Sequence, residues 1–296
     1  MKHHILLFVV ALVLSSCSNK NGFDATGTFE ATEVTVSAES QGKLISLSVN
    51  EGDTVEEGRI IGVIDSVQLY YGKKQLEAQQ SSLLNSRPDI AKQVSSLREQ
   101  IEKQKKEQLR TEKLVAANAA TTKQLDDIRS QISVLENQLQ AALSTLVNNT
   151  ASINDNAMAL NAQIESLEDK ISKCRIISPL SGTVLAKYVE QGEIVTIGKA
   201  VVKIADMDKM YLRAYFTSEQ LSEIKLGDHV AVIADFGRDE RYEYDGEIFW
   251  ISSKSEFTPK TIQTKDSRAN LVYATKIAVS NDGRLKIGLY GEVKLK

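Results

Sequence analysis

Histidine is nearly missing from this chain, cysteine occurs twice and proline three times in 296 residues. Two of the three histidines stand at positions 3 and 4, leaving His229 alone in the body of the protein. Neither a histidine-based catalytic triad nor a multi-histidine metal site can be assembled from that supply, so no catalytic residue and no metal ligand is assigned. Positive charge is not in excess either: 36 lysines and arginines against 39 acids leave a net charge of −3. That balance excludes the broad basic surface that non-specific nucleic-acid binding requires. No GxxxxGK[ST] or GxGxxG loop is present to cradle a phosphate. Long apolar runs are absent as well; the run from Ile5 to Leu14 is ten residues, about half of what crossing a hydrocarbon core takes.

What the N-terminus does have is a secretion signal. Lys2 and two histidines precede the apolar run, and small residues and Cys17 follow it, so residues 1–16 read as a signal peptide. Leu14-Ser15-Ser16-Cys17 resembles the bacterial lipobox, which implies that Cys17 is lipidated and becomes the mature N-terminus, followed by a polar linker to residue 26. Cys174 is then the remaining thiol, and no internal disulfide can form. It lies in ISKCRIISP with no histidine nearby to activate it, and reads as a small buried hydrophobe.

The chain writes one unit twice. SVNEGDTVEEGRIIGVID reappears as KYVEQGEIVTIGKAVVKIAD, and a gapless offset of 140 pairs Gly42 with Gly182, Gly52 with Gly192 and Gly58 with Gly198. The same offset pairs Val49 with Val189, Val55 with Val195 and Ile64 with Ile204. Glycines at chain reversals with alternating β-branched residues between them read as short strands and tight turns. One copy is too small to bury a core, so the two copies are expected to pair face to face as one sandwich.

Whatever lies between the copies must leave the sandwich and return. Leu125, Ile128, Ile132, Leu135, Leu139, Ala142 and Leu146 alternate at three and four residues, the seam of a coiled coil. Leu69, Leu76 and Leu83, then Ile90, Val94, Leu97 and Ile101, form a weaker outgoing arm. Asn118 to Ala120 are expected to form the turn, with Thr121 or Thr122 capping the returning helix. Pro88 and the asparagine-rich stretch around Thr150 each lie 31 residues from Ala119. Both arms are therefore expected to break at the same height, about 45 Å from the tip at roughly 1.5 Å per residue.

After Asp206 the pattern becomes β, with strands expected in MYLRAYF, HVAVIADF, YDGEIFWIS, NLVYATKIAV and LYGEVKL. One short helix, TSEQLSEIK, is capped by Thr217 or Ser218. This reads as a small β-barrel, with GTFEATEVTVSAES adding a strand to it.

The repeat resembles the half-motif of lipoyl and biotinyl carrier domains, but the hairpin that would display an acceptor lysine is replaced by the helical excursion after Asp65. No cofactor is therefore assigned. A lipobox, a split lipoyl-like sandwich, a long α-hairpin and a barrel together resemble the haemolysin D-type periplasmic adaptors, or membrane fusion proteins. The resemblance rests on SAESQGKLISLSVNEGDTVEEGRIIGVID, CRIISPLSGTVLAKYVEQGEIVTIGKAVVKIAD, KLGDHVAVIAD, DGEIFWISSKSEFTPKT and GRLKIGLYGEVKL.

The resemblance implies an elongated α+β fold. It has a first barrel-associated strand and half-sandwich in 27–65, a hairpin in 66–173 with its tip near 115–122, the second half in 174–206 and the barrel in 207–296. It further implies a non-enzymatic, membrane-anchored periplasmic protein. Such adaptors link an inner-membrane transporter to an outer-membrane channel and assemble in rings, commonly of six copies. The short chain favours transporters driven by ATP over those driven by protons. In the family the hairpin tip carries Arg, Leu and Ser at a set spacing, which falls here on Arg110, Leu114 and Thr121. Two other readings cover part of the pattern: a lipid-anchored structural coiled coil without a transport role, and a carrier-domain subunit.

Overall fold

The structure, a computed structural model, describes residues 22–237, 241–257 and 271–296. The expected signal peptide and Cys17 lie outside these residues. In chain order the strands β1 (Ala25–Ser37), β2 (Gly42–Leu47), β3 (Thr54–Val55) and β4 (Ile60–Ile64) precede three helices, α1 (Val67–Asn85), α2 (Ile90–Ala116) and α3 (Thr122–Ser172). Then follow β5 (Arg175–Ile177), β6 (Gly182–Lys187), β7 (Ile194–Val195), β8 (Ala200–Thr217), α4 (Ser218–Leu221), β9 (His229–Asp235), β10 (Arg241–Phe257), β11 (Leu271–Ser280) and β12 (Tyr290–Lys294). The chain divides into two compact units, Ile64–Arg175 and the remainder.

The β unit combines a sandwich and a barrel. Strands β1, β12, β9, β10, β11 and β8 follow one another, and β8 pairs back with β1 to close the barrel. Closure removes the open edges that invite stray pairing. Phe29, Leu212, Phe216, Ile248, Ile277 and Leu285 fill the barrel, all fully buried. β1 and β8 are long enough to run on into the sandwich, so the expected boundary at 206/207 falls inside a continuous strand. Ala31 faces Met210 but Thr32 faces Asp206, leaving three residues of β8 as a bulge. The Asp206 carboxylate accepts the N–H groups of Asp208 and Lys209 at 3.1 and 3.3 Å and so holds that bulge.

In the sandwich the two copies interleave, and neither forms a sheet of its own. β3 of the first copy pairs with β6 of the second in the sheet that β8 continues. β2 pairs with β7 in the opposite sheet, whose order is β5, β4, β2, β7. Exchange puts side chains of both copies on both inner faces: Leu44, Val49, Val55, Ile61 and Ile64 meet Val184, Val189, Val195, Val201 and Ile204, none more than 3% exposed. Two short strands alone would leave half of this apolar surface wet, which is why the copies must combine.

The helical unit has two antiparallel arms. α1 and α2 form the outgoing arm and α3 returns in a single helix of 51 residues. The expected break at Pro88 is present: Ser86 ends α1, and the Asp89 carboxylate accepts the Lys92 N–H at 3.1 Å to start α2. The matching break expected at Asn148–Asn156 is absent, because α3 runs straight through. Asparagine costs a helix only a fraction of a kcal/mol and keeps its N–H, whereas proline loses the bond and clashes with the preceding turn. Thr150 instead bonds back to the Leu146 carbonyl at 2.8 Å, as threonine does inside helices.

Val94, Ile101, Leu125, Ile132, Leu135, Ile153, Ala157 and Ile164 are buried between the arms, while Ile128, Leu139, Ala142 and Leu146 are half-buried. α1 has no buried side chain; Leu69, Leu76 and Leu83 are half-buried. Ion pairs fix the register, with Lys73 to Glu168 at 2.5 Å, Lys105 to Glu136 at 2.8 Å and Arg129 to Glu112 at 3.3 Å. Being largely exposed and screened by solvent, they add little to stability.

Candidate functional site: the hairpin tip

Two helix-end motifs, back to back, build the turn. Ala116 is the last residue of α2, and Asn118 takes the left-handed conformation with φ 58°. The Asn118 N–H donates to the Val115 carbonyl at 2.9 Å and the Ala119 N–H to the Leu114 carbonyl at 2.7 Å. This is a Schellman closure, and asparagine is the residue other than glycine that tolerates its backbone. Three residues on, Thr121 caps α3. Its hydroxyl accepts the Gln124 N–H at 3.3 Å while the Gln124 side chain accepts the Thr121 N–H at 3.0 Å, a capping box.

Arg110 and Leu114 sit one turn apart on α2 and therefore share a face. Arg110 is exposed and, among the described residues, makes no ion pair or side-chain hydrogen bond; Leu114 is 41% exposed. Thr121 is exposed too, but its hydroxyl is already engaged as the cap. The three positions gather at one end of the hairpin, with an unpaired guanidinium and an apolar side chain open to a partner. Leu109, 60% exposed, adds a second apolar side chain next to Arg110. It was missed because it falls outside both the seam and the family spacing; an apolar residue off the seam on a polar helix face was its signal. Leu125 and Thr111, both buried, pack beneath the tip.

The repeat glycines have structural tasks in the sandwich. Gly42 and Gly182 open β2 and β6, opposite Val195 and Val55. Gly52 and Gly192 turn with φ of 92° and 96° at equivalent places, and Gly58 and Gly198 bond back to Ser178 and Ala38. Gly182 is required for a different reason: a Cβ there would lie 2.2 Å from the Ala205 carbonyl oxygen. Gly27 has the same constraint against Arg213 in the barrel, at 2.0 Å, and had gone unnoticed inside an otherwise regular strand pattern.

Elsewhere, Cys174 is buried, with its thiol 3.3 Å from the Lys170 carbonyl. His229 stands on the barrel beside Asp245 at 2.9 Å. Among the described residues no three acids, histidines or cysteines gather as a metal site would require. Lys73 and Lys74 lie along α1 and pair with Glu77 and Glu168.

A sandwich split by an α-hairpin and joined to a barrel through shared strands defines a periplasmic adaptor. Residues 32–206, more than half of the chain, match the family described as RND MFP, barrel-sandwich hybrid domain, and the chain belongs to the membrane fusion proteins. It is 28% identical to a UPF0194 membrane protein of Citrobacter koseri over 91% of this chain and 87% of the relative. It is also 28% identical to a Yersinia enterocolitica protein of the same description, over 89% and 86%. Among solved structures it is similar to MacA from Actinobacillus actinomycetemcomitans, with a TM-score of 0.56 and 20% identity over 91% of this chain and 76% of that one. The membrane fusion protein Spr0693 from Streptococcus pneumoniae R6 superposes with a TM-score of 0.53 and 17% identity, over 92% and 98%. Among the described residues no helix is long and apolar enough to cross a membrane.

Proposed function

We propose that this protein joins an inner-membrane transporter to an outer-membrane channel, and that the hairpin tip is its contact with the channel. The observation that carries this is the tip itself: a rigid turn closed at both helix ends that presents unpaired Arg110 and exposed Leu114 side by side. A guanidinium suits the carboxylates and carbonyls at the end of a partner helix, and leucine suits an apolar groove between helices. The protein performs no bond chemistry in this role; it positions two others. The transporter is expected to be ATP-driven, the assembly a ring of six copies, and the anchor a lipid on Cys17 in the inner membrane.

Purification from gently solubilised membranes after brief cross-linking tests this reading. The channel and an ATPase-bearing permease should both be recovered, and Arg110→Glu should lose the channel alone. Recovery of a proton-driven transporter would correct the energy source, and recovery of neither would refute the adaptor role. Intact mass of the mature chain reads the lipid on Cys17, and native mass reads the number of copies.

A further inference from the structure

Phe257 is the most exposed large apolar side chain among the described residues, at 83%, and its partner across the ladder is Leu271, at 50%. Phe257 ends β10 and Leu271 begins β11. Val272 faces Thr217, the last residue of β8, so the Phe257–Leu271 pair stands one step past the end of that strand. It is the last pair of the β10–β11 ribbon among the described residues. The rim it belongs to is where β1, β9 and β11 begin and β8, β10 and β12 finish, at the end of the barrel away from the sandwich. Leu226, 65% exposed beside Lys225, lies on the same rim in the turn that enters β9.

The N-terminal chain reaches this rim and is fixed there. Asp24 donates its N–H to the Val293 carbonyl at 2.8 Å and accepts the Leu295 N–H on its carboxylate at 2.7 Å. The Gln220 side chain of α4 bonds the Asp24 carbonyl as well. Asp24 lies seven positions after Cys17. Fully extended, seven steps of chain cover roughly 25 Å, so a lipid on Cys17 holds this rim within that distance of the bilayer.

We infer that the rim is a membrane-contacting surface, with Phe257, Leu271 and Leu226 as apolar wedges in the headgroup layer of the bilayer that holds the anchor. The inference rests on the proposed lipidation of Cys17. An exposed aromatic and aliphatic pair needs no complementary cavity in a fluid interface, whereas a protein partner would have to supply one. Lys225 and Lys254, both exposed, flank the wedges and suit the phosphates of that layer. One lipid then gains a second attachment, which is what stable anchoring generally requires.

Trp250 is the only tryptophan, so Trp250→Phe combined with Phe257→Trp leaves one reporter at position 257. The full chain is examined in two forms: the native preparation in vesicles, and a Cys17→Ser form tethered through an N-terminal histidine tag to vesicles of phosphatidylcholine with a nickel-chelating lipid. The reporter at 257 should shift to the blue and be quenched by brominated acyl chains in both, while Trp250 in the unsubstituted protein is not. Phe257→Asp with Leu271→Asp, checked for an unchanged circular dichroism spectrum, should lower retention of the untethered Cys17→Ser form on vesicles about tenfold. A reporter that stays unquenched when tethered overturns the inference, as does protection at 257 that arises only when a transporter co-purifies. Mass at Cys17 separates the two claims: an adduct with no quenching refutes the wedge, and quenching without an adduct refutes the anchor alone.

Discussion

Gly52 donates its backbone N–H to the carbonyl oxygen of Val184 at 2.9 Å, and Gly192 does the same to Leu44 at 2.8 Å. Both members of the second bond are displaced by 140 positions from their counterparts in the first. Gly58 to Ser178 and Gly198 to Ala38 repeat the relation at 2.9 and 2.8 Å. The sandwich is thus a pseudo-twofold object in which each copy completes the other's hydrogen bonds, so neither copy closes alone.

Equivalent positions need not tolerate the same change. Gly182→Ala forces a Cβ into the Ala205 carbonyl and should cost about 3 kcal/mol. Gly192→Ala meets no neighbour, but its φ of 96° disfavours a side chain by about 1 kcal/mol. Urea unfolding followed by Trp250 fluorescence should rank them in that order.

At the tip, Asn118→Gly should leave stability nearly unchanged, while Asn118→Ala should cost about 1 kcal/mol through the left-handed backbone. Thr121→Ala removes the cap and should cost a similar amount, about 1 kcal/mol. Amide exchange at residues 117–124 reads both losses locally.

Only the outgoing arm should open at mid-height. Amides of Ser86, Arg87 and Asp89 should exchange fast, while protection continues from Asn148 to Asn156. Pro88→Ala should slow exchange at the break. Fast exchange at Asn148–Asn156 would contradict the continuous α3.

These elements mark how far the residues alone could be read. The repeat was legible because both copies keep glycine at each reversal, and the tip because Asn118 and Thr121 have local chemistry that a helix end demands. Interleaving was not legible: strand patterns record which face is apolar, and say nothing of which strand lies alongside. The expected break near Thr150 does not form because asparagine favours turns only when no partner helix covers its seam. Here Ile153 and Ala157, packed against the outgoing arm, hold the helix through it. The length of β8 was hidden by the polar residues between Asp206 and Met210, where the boundary was expected and a bulge is found.

On the barrel, Lys296 and then His229 bond Asp245, at 2.7 and 2.9 Å, and hold its carboxyl below the ordinary aspartate value of 3.8. A lowered pKa gives stability that is present above the unfolded value and lost as pH falls through the folded one. Asp245→Asn should therefore lower the melting temperature slightly at neutral pH, with the difference fading as pH falls through the lowered carboxyl value. A difference that grows on acidification would contradict the pairing.

Contact between the tip and an outer-membrane channel is the step on which the proposed role depends. A photo-activated cross-linker placed at Asn118 in cells, followed by identification of the captured protein, tests it most directly. A single channel adduct is expected, and Arg110→Glu should diminish it severalfold. Capture of only a second copy of this chain at Asn118, with export intact, would contradict it.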